Sequence, residues 1–161
     1  MKTGNAFIDA FDHFTGEVID AGFEASKQLV EIGYRHLVDV SPIWSGSYVL
    51  SHRVKLGDMP ARPPTNIKRP DPKGGIYPLK VSDERAARFR RSALVELNKL
   101  KRQEKNVPIT IENDISHSLI VEATERAPFQ QVADLLRGIA EPIFKEKIIT
   151  GRKKTLVKVG G

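Results

Sequence analysis

Apolar side chains recur at spacings of three and four from Phe7 onward. Phe7, Phe11, Phe14, Val18, Ala21, Ala25, Leu29, Ile32 and His36 fall on one stripe of a helix. The pattern predicts a single amphipathic helix over about residues 5–40, roughly 50 Å long at the usual helical rise. Asp9, Asp12, Asp20, Glu24 and Glu31 lie mostly off that stripe, toward water or a partner. Gly16, Gly22 and Gly33 each weaken it by about 1 kcal/mol relative to alanine, and Gly16 marks a place where it can break. Ser41-Pro42 ends it, because a residue before proline is pushed out of the helical region. A rod of that length exceeds what a small globule covers, so part of the stripe is expected to pack against another subunit.

Tyr48, Leu50, His52 and Val54 alternate with Val49, Ser51, Arg53 and Lys55, which predicts a strand over 47–55. From 57 to 80 the periodicity disappears. Six prolines (Pro60, Pro63, Pro64, Pro70, Pro72 and Pro78) sit there among glycines, Arg and Lys, an extended basic loop or arm. Ser82 starts a second helix with Asp83 and Glu84 in its first turn, where the helix dipole favours acids. Ala86, Phe89, Ala93, Leu97 and Leu100 form its inner stripe. Strands are predicted over 107–113, with Pro108 marking its start or an edge, over 118–122 and over 155–159. Pro128 opens a third helix with Phe129, Val132, Leu135, Leu136 and Ile139 facing inward. The fold class is α+β: a long N-terminal helix, a small, mainly antiparallel sheet, two further helices packed on it and an extended Pro-rich loop, all in one domain over 1–161.

Charge divides the chain unevenly. Residues 1–51 hold three Lys or Arg against seven Asp or Glu, residues 52–105 fifteen against six, and the remainder eight against seven. A basic middle after an acidic start suits phosphate contact, or an acidic face of one copy meeting the basic face of the next. A solvated surface is the plainer alternative. The chain has no cysteine, which removes disulfides, thiolate metal sites and cysteine nucleophiles. No apolar run approaches the length of a membrane span, and the start lacks the layout of a secretory signal.

No arrangement of catalytic groups emerges. Thr150-Gly151-Arg152-Lys153-Lys154-Thr155 lacks the first glycine of a phosphate-binding loop. Trp44-Ser45-Gly46-Ser47 lacks the flanking glycines of a nucleophile elbow. His13, His36, His52 and His117 are scattered, and a lone strand histidine such as His52 reads as packed or hydrogen-bonded. The expectation is a non-enzyme with no cofactor and no metal.

Two stretches carry a resemblance. In Ser41-Pro42-Ile43-Trp44-Ser45-Gly46-Ser47-Tyr48-Val49-Leu50-Ser51, a proline ends a long helix and a Ser-Gly pair precedes a strand with a serine. Asn113-Asp114-Ile115-Ser116-His117-Ser118-Leu119-Ile120-Val121-Glu122 continues to Pro128-Phe129 at a helix entry. Pro42, Ser45, Gly46, Ser51, Asn113, Glu122, Pro128 and Phe129 match the spacing of the phage tail-component family, whose members resemble minor tail protein Z. His117, Ser118 and Thr124 depart from the family's tyrosine, alanine and glycine.

The resemblance implies a structural virion protein at the neck that completes the head-proximal end of a bacteriophage tail. It implies a homo-oligomeric ring, commonly a hexamer, assembled in the host cytoplasm. Head-closure or neck proteins and the tail tube or tail terminator would be its partners, with DNA passing through the lumen during genome ejection and no membrane involved. Arg62, Lys68, Arg69, Lys73, Arg85, Arg88 and Arg91 are the expected subunit or partner contacts. The alternative is a basic nucleic-acid-binding protein using the same residues, although Tyr77 and Phe89 make no stacking series.

Overall fold

The computed structural model describes the backbone of residues 3–43, 46–57, 81–105, 107–113 and 127–159, with side chains described from 12 to 151 within those ranges. The first helix, α1, is Thr3–Val40 and runs through Gly16 without a break. Ser41 closes its last turn by donating its amide to the Leu37 carbonyl at 3.0 Å, and Pro42 stops it there.

The chain divides into two compact units, Met1–Leu29 with Leu136–Gly161, and Val30–Leu135. In the first, Ala21 and Ala25 are buried as the stripe predicts, and the Phe144 ring lies over Gly22, 3.5 Å from where a β-carbon would stand. Phe14 and Val18 of the same stripe remain exposed. In the second unit the buried face of α1 differs from the expected one. Tyr34, Leu37, Val38 and Ser41 are buried, whereas Ile32 and His36 are only partly covered. The end of α1 is apolar on more than one side, so periodicity alone does not select the face that packs.

After α1 the predicted strand over 47–55 divides. Ser47–Leu50 form a single helical turn, α2, and only His52–Leu56 extend as β1. The turn is entered through Gly46, whose φ of 82° lies in the left-handed region. A β-carbon there would come within 2.7 Å of the Phe89 ring, so backbone and aromatic face meet at a distance only glycine permits. Leu50 donates its amide to the Gly46 carbonyl, and the Ser51 hydroxyl bonds the Ser47 carbonyl at 2.7 Å. These local bonds compete successfully with extended pairing.

The second helix, α3, is Asp83–Ala93. Its cap is as expected: Ser82 is extended and its hydroxyl accepts from the Arg85 amide at 3.4 Å, with Asp83 and Glu84 in the first turn. The chain then tightens into a 3₁₀ helix, Leu94–Arg102, which the predicted single helix did not foresee. Strand β2, Ile109–Asn113, pairs antiparallel with β1 in a register that sets His52 opposite Asn113 and Leu56 opposite Ile109. The last helix, α4, begins at Pro128 as predicted and extends to Val159. The strand expected over 155–159 is therefore helical. The alternation of Thr155, Val157 and Val159 is too short to override a helix already propagating from its nucleus, since each added residue gains a hydrogen bond at little cost.

The architecture is α+β: a long N-terminal helix, a two-stranded antiparallel sheet, and two further helices near it. The core of the second unit joins Tyr34 and Val38 of α1, Val49 of α2, Val54 of β1, Ala93 and Leu100, with Phe89, Leu94, Leu97, Ile109 and Ile111 packed around it. The strand expected over 118–122 and the arm beyond Gly57 lie outside the described residues.

Replacing Gly46 with alanine is expected to destabilise the protein by about 2–3 kcal/mol, combining left-handed strain with overpacking against Phe89. Urea unfolding reads it. In a Phe89→Leu background the added cost of Gly46→Ala should shrink toward the strain alone.

Candidate functional site

Residues of the two resemblance stretches meet at His52. This side chain is fully buried, and its ring is flanked edge-on by Tyr34, Tyr48 and Phe129 at centroid distances of 6.4, 4.9 and 5.7 Å. Both ring nitrogens are engaged. The Tyr48 carbonyl can only accept, so Asn113 must present its Nδ2 there, at 3.0 Å. The second hydrogen of Nδ2 points to His52 Nδ1, also at 3.0 Å. Nδ1 is thus the acceptor, and the ring proton sits on Nε2 and is donated to Ser41 Oγ at 2.7 Å. Ser41 passes its own hydrogen to the Leu37 carbonyl at 2.6 Å. The result is a continuous relay from α2 through β2 and β1 to the end of α1.

Tyr34 braces the same point. Its hydroxyl lies 3.1 Å from the carbonyls of both His52 and Ala93, tying α1 to β1 and to α3. Burial, with Glu96 adding to it, pushes this phenol well above the usual tyrosine range. Burial likewise pushes His52 down to about 3, with the Arg53 guanidinium contributing, so the imidazole is neutral at ordinary pH. A neutral ring fits the relay, because a proton on Nδ1 would collide with the Asn113 donor.

Of the six signature residues described, five belong to this node or adjoin it in sequence, and Gly46 packs instead against Phe89. Pro42 follows Ser41 and is buried, Gly46 opens α2, and Ser51 precedes His52. Asn113 belongs to the relay, Pro128 is fully buried, and Phe129 stacks edge-on against the ring. Ser45 and Glu122 lie outside the described residues. The node holds the fold together, and His52, its centre, was legible in the sequence only as a packed histidine. Ser41 and Asn113 are distant along the chain, so no local signal paired them with it.

The second candidate is a surface. Arg85, Arg88 and Arg91 are exposed on α3 at successive spacings of three, and the Arg85 guanidinium lies 5.4 Å from the Phe89 ring centroid. Arg90 turns away from this row and donates to the Asp39 carbonyl at 3.1 Å. Val95, 62% exposed, lies two residues past the end of α3. Arg62, Lys68, Arg69 and Lys73 lie outside the described residues, so they are not placed against this row. On α1, Asp12, Asp20, Glu24, Glu31 and Asp39 are exposed, with Glu31 paired to Arg35 at 2.8 Å. Glu17, Asp20 and Glu24 line a cavity of about 360 Å³ with Lys147, Thr150 and Gly151, giving it a net negative lining.

Among the described residues, no group of three or more His, Asp or Glu could hold a metal ion, and no helix is long and apolar enough to cross a membrane. Comparison with protein-family models, curated proteins and solved structures finds no match to this chain.

The relay has a pH signature. His52 is depressed in the folded state relative to its ordinary 6.5, so the unfolded chain binds more protons between the two values. Stability should be full above about pH 6.5 and decline as pH falls toward 3, by a few kcal/mol in all. His52→Leu should cost about 2–4 kcal/mol at neutral pH by stranding the Asn113 donor, and should flatten that slope. Urea titrations at several pH values measure both.

Proposed function

We propose that this chain is a structural assembly protein of a tailed-phage virion. In this reading it completes the head-proximal end of the tail and joins it to the neck or head-closure proteins as a homo-oligomeric ring around the DNA passage. The supporting observation is that Asn113 and Phe129 contact the His52 ring, with Pro42, Ser51 and Pro128 next in sequence to residues of the same node. Positions separated by more than half the chain act there as one structural unit, as expected if the resemblance extends to the fold.

Assembly would use the charged faces. The arginines of α3 recur about every 4.5 Å along its axis, and the exposed acids Asp20 and Glu24 of α1 lie about 6 Å apart, taking the ordinary helical rise. One copy's α3 can therefore lie along another's α1 with opposite charges facing. Such contacts steer and register subunits more than they add affinity, and they weaken as salt rises.

Reversing Arg85, Arg88 and Arg91 to glutamate should lower the assembled fraction at least tenfold at low salt, read by sedimentation or mass photometry. Lysines at Asp20 and Glu24 in the same chain should restore part of it. Unchanged assembly removes the charged-face contact. If the reversed variant assembles normally but loses salt-dependent binding to short DNA, the arginine row serves nucleic acid instead.

The joining role is tested separately by electron microscopy of particles made without this protein. Filled heads and finished tails, unjoined, are the expected products. Intact virions would overturn the reading.

A further inference from the structure

The segment Leu94–Arg102 is nine residues of 3₁₀ helix, and such runs seldom exceed three or four residues because their hydrogen bonds are poorly aligned. Two features hold it. With three residues per turn, every third side chain stacks on the last. Leu94, Leu97 and Leu100 make one such column against the core.

Glu96 and Lys99 begin the next column, and both reach β1. Lys99 Nζ lies 2.6 Å from Glu96 Oε2. That carboxylate oxygen accepts the Val54 amide at 3.2 Å, while Lys99 Nζ donates to the Val54 carbonyl at 3.1 Å. Val54 stands opposite Ile111 in the ladder, yet both of its backbone groups are bonded by these side chains. Glu96 and Lys99 therefore occupy the positions by which another strand would add to β1 at Val54.

The same sequence suits an ordinary α-helix, since Leu, Glu, Lys and Arg are all good helix formers. Changing nine residues from three to 3.6 per turn would shorten the segment by about 4–5 Å and unwind it by about 180°. It would carry Glu96 and Lys99 off Val54 and rotate α3, which is continuous with it, relative to β1.

We propose that Leu94–Arg102 is a two-state helical segment, latched in its 3₁₀ form by the Glu96–Lys99 clasp on Val54, and that releasing the latch opens the outer edge of β1 and re-phases α3. The latch stands independently of any role in assembly. Lys99 holds the Val54 carbonyl directly, and on the Val54 amide it acts as a positioning residue, through Glu96.

Residue-resolved amide exchange and NOE patterns on the full chain test it. Lys99→Met should speed exchange of the Val54 amide at least tenfold, while the Arg53 and Lys55 amides, on the β2 side of the strand, change less than twofold. Contacts characteristic of i→i+4 geometry should appear within 94–102, and Lys99→Arg should restore the original pattern. Glu96→Gln, which keeps an acceptor for Val54 but no charge for Lys99, should give a weaker version of the same change, and serves as the test if Lys99→Met does not fold. Unaltered Val54 exchange, equal acceleration of all three amides, or persistent 3₁₀ contacts in these variants would overturn the proposal.

Discussion

An imidazole removed from water needs a partner for each nitrogen, and at His52 those partners come from segments far apart along the chain. Ser41 closes α1, while Asn113 ends β2 and also holds the Tyr48 carbonyl of α2. Each group is satisfied only when the others are in place. A one-residue slip of β2 would move Asn113 off the ring and leave several polar atoms buried without bonds, each costing about 1–3 kcal/mol. The hydrophobic contacts of Val38, Val49 and Val54 supply much of the attraction but tolerate small shifts. The relay does not, so it fixes the register where the apolar core alone would permit neighbours.

A two-stranded sheet has little stability of its own. Here one face lies on the core, the Tyr34 hydroxyl holds the His52 carbonyl, and Glu96 with Lys99 holds the backbone of Val54. Side chains from helices thus substitute for a third strand along the outer edge of β1. This arrangement also explains why Tyr34 is a tyrosine. Phenylalanine would fill the same space but would leave the Ala93 carbonyl without this donor.

The elements most legible in the sequence are those with local chemical signals. Pro42 ends α1, Ser82 with Asp83 and Glu84 begins α3, and Pro128 begins α4, because each signal acts on the backbone within one turn. The alternation around Ile109 and Ile111 likewise gives β2. Where apolar residues suit two periods, local reading fails. Tyr48, Val49 and Leu50 fit a strand or a helical turn, and Gly46 with the Ser51 hydroxyl decides for the turn. The buried face of α1 near Tyr34 depends on what packs there. The arginine row was legible because exposure follows from charge, whereas the His52 node required three distant segments to be brought together. The triplet Leu94, Leu97, Leu100 has a three-residue period, but it passes as one side of an ordinary helix, and the helical stripe through Ala93, Leu97 and Leu100 hides it.

That period governs how the chain can change in length. Adding or removing one residue between Leu94 and Leu100 would hand the core column to Val95 and Asn98 or to Glu96 and Lys99, placing a polar side chain where leucine packs. A change of three residues keeps the columns aligned and merely extends or shortens the stack by about one turn, roughly 6 Å. Homologous chains that differ in length here should therefore differ in multiples of three, an arithmetic imposed by the shape of the helix and not by the code that specifies it.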